Sequence, residues 1–284
     1  RYRTAKTPAD KIACLEEMLM VMPKHKGTDK LRADLRRRIS KHRQEAQTKR
    51  ALSKRDLAFR VEKEGAGQVA VIGPANTGKS SVVAVLTNAR PAVAEFPCST
   101  WRPMPGMVTV RGMPIQLVDT PPLDAEHVEP ELFELIRHAD LALVVVDLAT
   151  DPMAQVEKTV SILEKRRIIP RHLQERYTEP VVWSALPFLV LANKYDDESC
   201  EENVEIFGEL AGETWPFVAA STTTGRNLEK LREALPVAMQ IVRVFSKPRG
   251  KDVDLNDPFV VRKGCTVEEF ASKVHQDFAD QLKV

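Results

Sequence analysis

The first apolar positions of the chain recur with a helical period. Ile12, Leu15, Met18, Leu19 and Met22 lie three or four residues apart, which predicts an amphipathic helix opened by Thr7-Pro8 and stopped by Pro23. After a turn at Gly27, Thr28 can cap a second helix with Leu31, Leu35 and Ile39 on one face, so the two stripes are expected to pack as an antiparallel hairpin. Then the pattern changes. Gln68-Val69-Ala70-Val71-Ile72, Leu141 to Val146 and Phe188 to Ala192 are short continuous apolar runs, as in strands buried on both faces, and amphipathic segments separate them. This alternation predicts an α/β fold with a doubly wound, mainly parallel sheet. Met107 to Val110 and Pro114 to Val118, joined at Arg111-Gly112, predict a hairpin at its edge. The stretch from Ile168 to Pro187 has no clear period and reads as a loop insertion. Past Leu235 the order becomes strand, Pro/Gly turn, strand, and then a helix opened by Thr266-Val267-Glu268-Glu269, a capping-box sequence. The expected boundaries are 1–64, 65–238 and 239–284.

Charge divides the chain in the same place. The net charge is +2 over 284 residues, yet residues 1–60 carry 18 Lys and Arg against 7 Asp and Glu, and the remainder carries 24 against 33. An N-terminal piece at +11 beside a body at −9 suggests that the helical hairpin faces a polyanion such as RNA, with Arg36, Arg37, Arg38, Lys41 and Arg43 left outside the hairpin seam. The plainer reading is a solvated basic surface. Cys14, Cys98, Cys200 and Cys265 have no C-x-x-C spacing, which argues against a zinc site or a disulfide framework and fits a reducing cytoplasm. No apolar run is long enough for a membrane span. His25 and His42 read as surface residues.

Chemistry enters at the ends of the apolar runs. Gly73-Pro74-Ala75-Asn76-Thr77-Gly78-Lys79-Ser80 follows the first run and precedes a helical segment, and it fits G-x-x-x-x-G-K-[ST]. In such a loop the backbone N–H groups from Gly73 to Ser81 converge on phosphate oxygens at a helix N-terminus, Lys79 reaches the β- and γ-phosphates, and the Ser80 hydroxyl takes Mg²⁺. Asp119-Thr120-Pro121-Pro122 closes the strand from Ile115 to Val118, where a nucleotide hydrolase needs a carboxylate for Mg²⁺. Between them, Phe96-Pro97-Cys98-Ser99-Thr100-Trp101 holds the threonine that would complete the metal shell. Asn193-Lys194-Tyr195-Asp196 closes the last long run. Asp196 can accept from N1–H and the 2-amino group of guanine, a donor pair adenine lacks. Asn193 would tie this loop to the phosphate loop, and the Lys194 stem would cover the base. Ser221-Thr222, ahead of Gly225-Arg226-Asn227-Leu228, suits a last backbone contact to the guanine carbonyl.

Together GPANTGKS, FPCSTW, DTPP, NKYD and AASTTTGRNL resemble the translation-factor-class GTPases of the Obg group, and within it the developmentally regulated GTP-binding (Drg) subgroup. The basic helical start resembles the hairpin that precedes the Drg core. Val242 to Asp252 with Pro258 to Phe270 resembles the start of a TGS domain, a partial β-grasp unit that Val284 would cut short. The resemblance implies a P-loop GTPase fold, GTP hydrolysis with Mg²⁺, and ribosomes or the translation machinery as partner. Two positions depart from it. Pro122 stands where the family has a glycine whose N–H meets the γ-phosphate, and proline has no N–H to give. Leu123 stands where Ras-like enzymes carry the water-orienting glutamine, so unassisted turnover is expected to be slow. Asn76 offers a substitute: in similar GTPases an asparagine there ligates K⁺, and the catalytic set would then be Lys79, Thr100 and Asn76. Alternatively, Asn76 only shapes its turn. Three classes follow: a GTP-hydrolysing switch, a GTP-binding regulator that scarcely hydrolyses, and an RNA-binding adaptor with structural nucleotide.

Overall fold

The computed structural model describes residues 8–22, 28, 31–40, 59, 61–87, 103–247, 252–253 and 258–274, which fall in two compact units, 1–60 and 61–284. In the first unit α1 (Pro8–Val21) and α2 (31–40) form the expected hairpin. Leu15, Leu35 and Ile39 are buried, with Ile12, Leu19 and Met22 packed around them. The seam is narrower than the sequence stripes: Met18 and Leu31, on its flanks, stay about half exposed at 46% and 53%. Arg32 donates from Nη1 to the Met22 carbonyl at 2.7 Å, satisfying a backbone acceptor just past the end of α1. Arg36, Arg37 and Arg38 are exposed on α2, and Arg38 pairs with Asp34 one turn back at 2.8 Å. Lys41, Arg43 and both histidines of this region lie outside the described residues.

The second unit is built on a six-stranded sheet. In chain order its strands and the short pair beside it are β1 (Gly67–Ile72), β2 (Met104–Val110), β3 (Met113–Asp119), β4 (Leu141–Asp147), β5 (Ile168–Pro170), β6 (Ser184–Leu186), β7 (Phe188–Asn193) and β8 (Phe217–Ala219). The spatial order is β2-β3-β1-β4-β7-β8. Only the β2–β3 pairing is antiparallel. Every residue of β1 and β7 is buried, as continuous apolar runs require, whereas β2 alternates buried and exposed positions as an edge strand with one wet face does. Arg111 and Gly112 have φ of 50° and 80°, the two positive values of a type I′ hairpin turn. Helices α3 (Lys79–Leu86), α4 (Pro130–His138), α5 (Pro152–Glu164), α6 (Glu201–Ala211) and α7 (Leu228–Ala238) complete the layers. Because β1, β3, β4 and β7 run parallel, Gly73, Asp119, Asp147 and Asn193 all arrive at one edge of the sheet, where such folds hold ligands.

One expectation is corrected. Residues 168–187 are not an unstructured insertion: β5 and β6 pair in parallel around a 3-10 turn, Arg171–Arg176. Ile168 and Ile169 are fully buried, and Tyr177 packs on Trp183 with ring centres 5.1 Å apart. Strands of three residues are too short to display a period, which is why the pattern does not reveal them.

The C-terminal stretch provides β9 (Ile241–Val244), β10 (Phe259–Arg262) and α8 (Val267–Val274), with β9 and β10 antiparallel. The capping box forms: Thr266 N–H donates to Glu269 Oε2 at 2.9 Å, and Glu269 N–H to Thr266 Oγ1 at 3.2 Å. This piece is fastened to the sheet end away from the phosphate loop. Arg262 reaches Asp140 at 2.7 Å, beside Lys63 at 3.0 Å and the Gln68 N–H at 3.0 Å, and Arg243 donates to the Arg111 carbonyl at 2.8 Å.

Candidate functional site: a nucleotide cleft at the strand ends

The loop from Gly73 to Ser80 needs glycine at two places for contact as well as conformation. A Cβ on Gly73 would stand 2.3 Å from the Val145 carbonyl oxygen, and one on Gly78 would stand 2.3 Å from Asn193 Nδ2. Asn76, exposed, holds a left-handed φ of 62°. Thr77 Oγ1 donates to the Pro74 carbonyl at 3.2 Å, and Lys79 Nζ donates to the same oxygen at 2.5 Å. Lys79 is 6% exposed; burial pushes its amine down, while Asp119 and Asp124 pull the other way. Ser80 and Ser81 lie in the first turn of α3.

Ser80 Oγ donates to Asp119 Oδ2 at 2.6 Å. The other carboxylate oxygen, Oδ1, is buried and finds no hydrogen-bond partner among the described residues. Burial raises the Asp119 carboxyl above its ordinary range, against the Ser80 hydroxyl, Lys79 and the Thr120 N–H, which hold it down. An orphaned, desolvated carboxylate oxygen beside a serine hydroxyl is what a hard cation with oxygen ligands fits, so these residues suit Mg²⁺. Thr100 lies outside the described residues. Pro122 and Leu123 are both buried, and the Leu123 N–H donates to the Gly73 carbonyl at 3.3 Å.

The candidate base end is interlocked. Asn193, 1% exposed, donates from Nδ2 to the Thr77 carbonyl at 2.9 Å and accepts at Oδ1 from the Thr222 N–H at 3.3 Å, so one side chain joins three loops. Ser221, fully buried, donates to Asp196 Oδ1 at 2.5 Å and accepts from the N–H groups of Thr223 and Thr224. Lys194, at φ 69°, pairs with Asp147 Oδ2 at 2.5 Å. Sequence reasoning passes over Asp147, although it closes an apolar run just as Asp119 and Asn193 close theirs. It also passes over Arg226, whose guanidinium lies 3.8 Å from the Tyr195 ring centre and 3.1 Å from Glu201, bracing the base loop from outside.

Known proteins share this arrangement of sequence. A family model described as 50S ribosome-binding GTPase matches residues 68–182, and a TGS domain model matches residues 242–284. An uncharacterized GTP-binding protein of Methanocaldococcus jannaschii is 27% identical, covering 96% of this chain and 84% of its own length. Ribosome-interacting GTPase 1 of Saccharomyces cerevisiae is 22% identical over 98% of this chain and 90% of its own, and the human developmentally-regulated GTP-binding protein 2 is 23% identical over 96% and 90%. The chain thus resembles the Drg-type GTP-binding proteins over nearly its whole length. The broader Obg likeness narrows to this subgroup, with a P-loop GTPase fold and a C-terminal TGS domain. No described helix is long and apolar enough to cross a membrane.

Proposed function

We propose that this chain is a GTP-hydrolysing switch that uses Mg²⁺ and acts on ribosomes. The interlock of Asn193, Ser221 and Asp196 supports the guanine preference: Ser221 leaves Asp196 Oδ2 to accept from the base, and an adenine would leave that carboxylate unpaired. Lys79 leaves the Pro74 carbonyl to bind the β- and γ-phosphates, and the N–H groups from Gly73 to Ser81 take the remaining oxygens. Ser80 and Asp119 would hold Mg²⁺, with Thr100 as the further ligand, and the ion when bound would supply positive charge against the developing phosphate charge. Asn76 is the candidate K⁺ ligand, and its positive φ equally suits a turn residue. Ribosome association is carried over from the yeast relative's name and from the family description. The exposed row Arg36, Arg37 and Arg38 supports a polyanionic partner such as ribosomal RNA.

Buried Leu123 and Pro122 favour a second reading, a GTP-binding regulator with little hydrolysis of its own. Equilibrium binding and turnover of GTP and ATP, with Mg²⁺ or EDTA, in KCl or NaCl, and with or without ribosomes, separate the readings. The switch binds GTP at least a hundredfold more tightly than ATP and releases phosphate faster with ribosomes or K⁺. Tight GTP binding without turnover in any arm selects the regulator. Equal affinity for ATP sinks both.

A further inference from the structure

Leu123 is 3% exposed and counts among the core residues, and an apolar side chain offers no hydrogen bond to a water. The next residue carries a carboxylate. Asp124 turns outward, and its Oδ1 accepts from the Ala75 N–H of the phosphate loop at 2.9 Å, while Oδ2 lies 3.4 Å from Lys158 Nζ on α5. Two hydrogen bonds thus lay residues 123 and 124 along the loop: Leu123 N–H to Gly73 and Asp124 to Ala75. Asp124 is close enough for its charge to act on Lys79, the amine assigned to the β- and γ-phosphates. The segment that carries it leaves Asp119, which marks the metal side, and a residue orienting the attacking water belongs on such a segment.

We propose that Asp124 is the catalytic carboxylate of GTP hydrolysis, accepting a hydrogen bond from the attacking water in place of the amide that Leu123 cannot supply. This rests on the GTPase reading above. The water oxygen forms its bond to the γ-phosphorus as the bond from that phosphorus to the β–γ bridging oxygen breaks. GDP leaves with the electron pair. The proton first directed toward Asp124 ends on the released phosphate, which regenerates the carboxylate. Lys158 holds one carboxylate oxygen so that the other stays aimed at the loop, where it now meets the Ala75 N–H. The competing possibility is that Asp124 is an anionic stopper that a γ-phosphate must displace.

Asp124→Asn and Asp124→Ala decide this, because the residue lies at the surface with its side chain 22% exposed and the asparagine is isosteric. Single-turnover GTP hydrolysis is measured beside the affinities for GDP, for a non-hydrolysable GTP analogue and for GDP with aluminium fluoride. General-base assistance is worth about a hundredfold or more, so both variants are expected to lose that much turnover and to lose tight binding of the aluminium fluoride complex. Their GDP and GTP-analogue affinities should stay within about threefold of wild type. Lys158→Ala should lower turnover several-fold with binding kept. Turnover within threefold of wild type in both Asp124 variants overturns the proposal, and a tenfold gain in GTP-analogue affinity then identifies a stopper. A wild-type protein that binds GTP without ever hydrolysing it overturns it as well. Failure of wild type to bind GTP would refute the GTPase reading instead.

Discussion

The proposed base end and the proposed phosphate end of the cleft are built from the same kinds of residue but held in different ways. At the base end the polar groups are engaged with one another: Asn193 bridges Thr77 and Thr222, and Ser221 gathers Asp196, Thr223 and Thr224, with both key side chains essentially inaccessible. At the phosphate end the corresponding groups make short hydrogen bonds but are less completely satisfied. Lys79 is a buried amine spent on a carbonyl oxygen, and Asp119 keeps a buried oxygen without a partner among the described residues. Buried polar groups that are paired contribute to the fold, and those left unpaired or desolvated cost it. The base end should therefore stabilise the protein whether or not nucleotide is present, whereas the phosphate end should be a cost that ligand offsets.

The largest expected effects test that contrast directly. Lys79→Ala should weaken GTP binding by about a hundredfold or more, since a charge-assisted phosphate contact is lost, yet leave the urea stability of the nucleotide-free protein unchanged or slightly higher. Asn193→Ala should weaken GTP binding and also lower nucleotide-free stability by about 1–3 kcal/mol, because the Thr77 carbonyl and the Thr222 N–H lose a buried partner. Equal destabilisation by the two substitutions would erase the distinction between the ends.

A smaller effect, a change of preference rather than a loss, is expected at Asp196. An Asp196→Asn side chain can still accept from Ser221 through its amide oxygen, so the loop should keep its shape. Its NH₂ would then meet the base and donate to a 2-carbonyl where the carboxylate accepted from a 2-amino group. Guanine affinity should fall and xanthine affinity rise, by about tenfold or more each, since a polar site rejects the analogue that leaves it unpaired. Unaltered preference in paired binding titrations would remove Asp196 from the base site. A drop in the melting temperature would mean that the interlock, not the base, needs the carboxylate.

How far the sequence discloses these two ends follows from what each depends on. The continuous apolar runs of β1, β4 and β7 announce buried parallel strands, and the polar motifs after β1 and β7 mark a candidate ligand edge, so Lys79, Asn193 and Asp196 stand out from pattern alone. The hairpin at Arg111-Gly112 and the capping box at Thr266 are equally legible, because local chemistry decides them. Other contacts depend on register between distant segments. Asp124 meets Ala75 across 49 residues and Lys194 meets Asp147 across 47, and no local pattern encodes either meeting. Leu123 shows the limit from the other side: its position suggests a defective catalytic residue, whereas its burial makes it a core residue beside an exposed acid. The folding of residues 168–187 is hidden because three-residue strands carry no period.

The smallest expected effect is a pH dependence at Asp119. Burial raises this carboxyl in the folded protein above its value in the unfolded chain, so the folded state binds the proton more tightly. Stability from that source is fully present below the unfolded value and is lost as pH rises through the raised folded value. Asp119→Asn replaces the carboxylate with a neutral side chain of the same shape whose oxygen can still accept from Ser80, so it escapes the loss. In urea melts of nucleotide-free protein in EDTA, the variant's stability relative to wild type should therefore climb as pH rises across the acid range and then level off, by about 1 kcal/mol or less. The same substitution should weaken Mg²⁺-dependent GTP binding, so stability and affinity move in opposite directions. A relative stability that instead falls with rising pH would mean that the ionised carboxylate stabilises the fold on its own, and the phosphate end would then hold itself together without ligand just as the base end does.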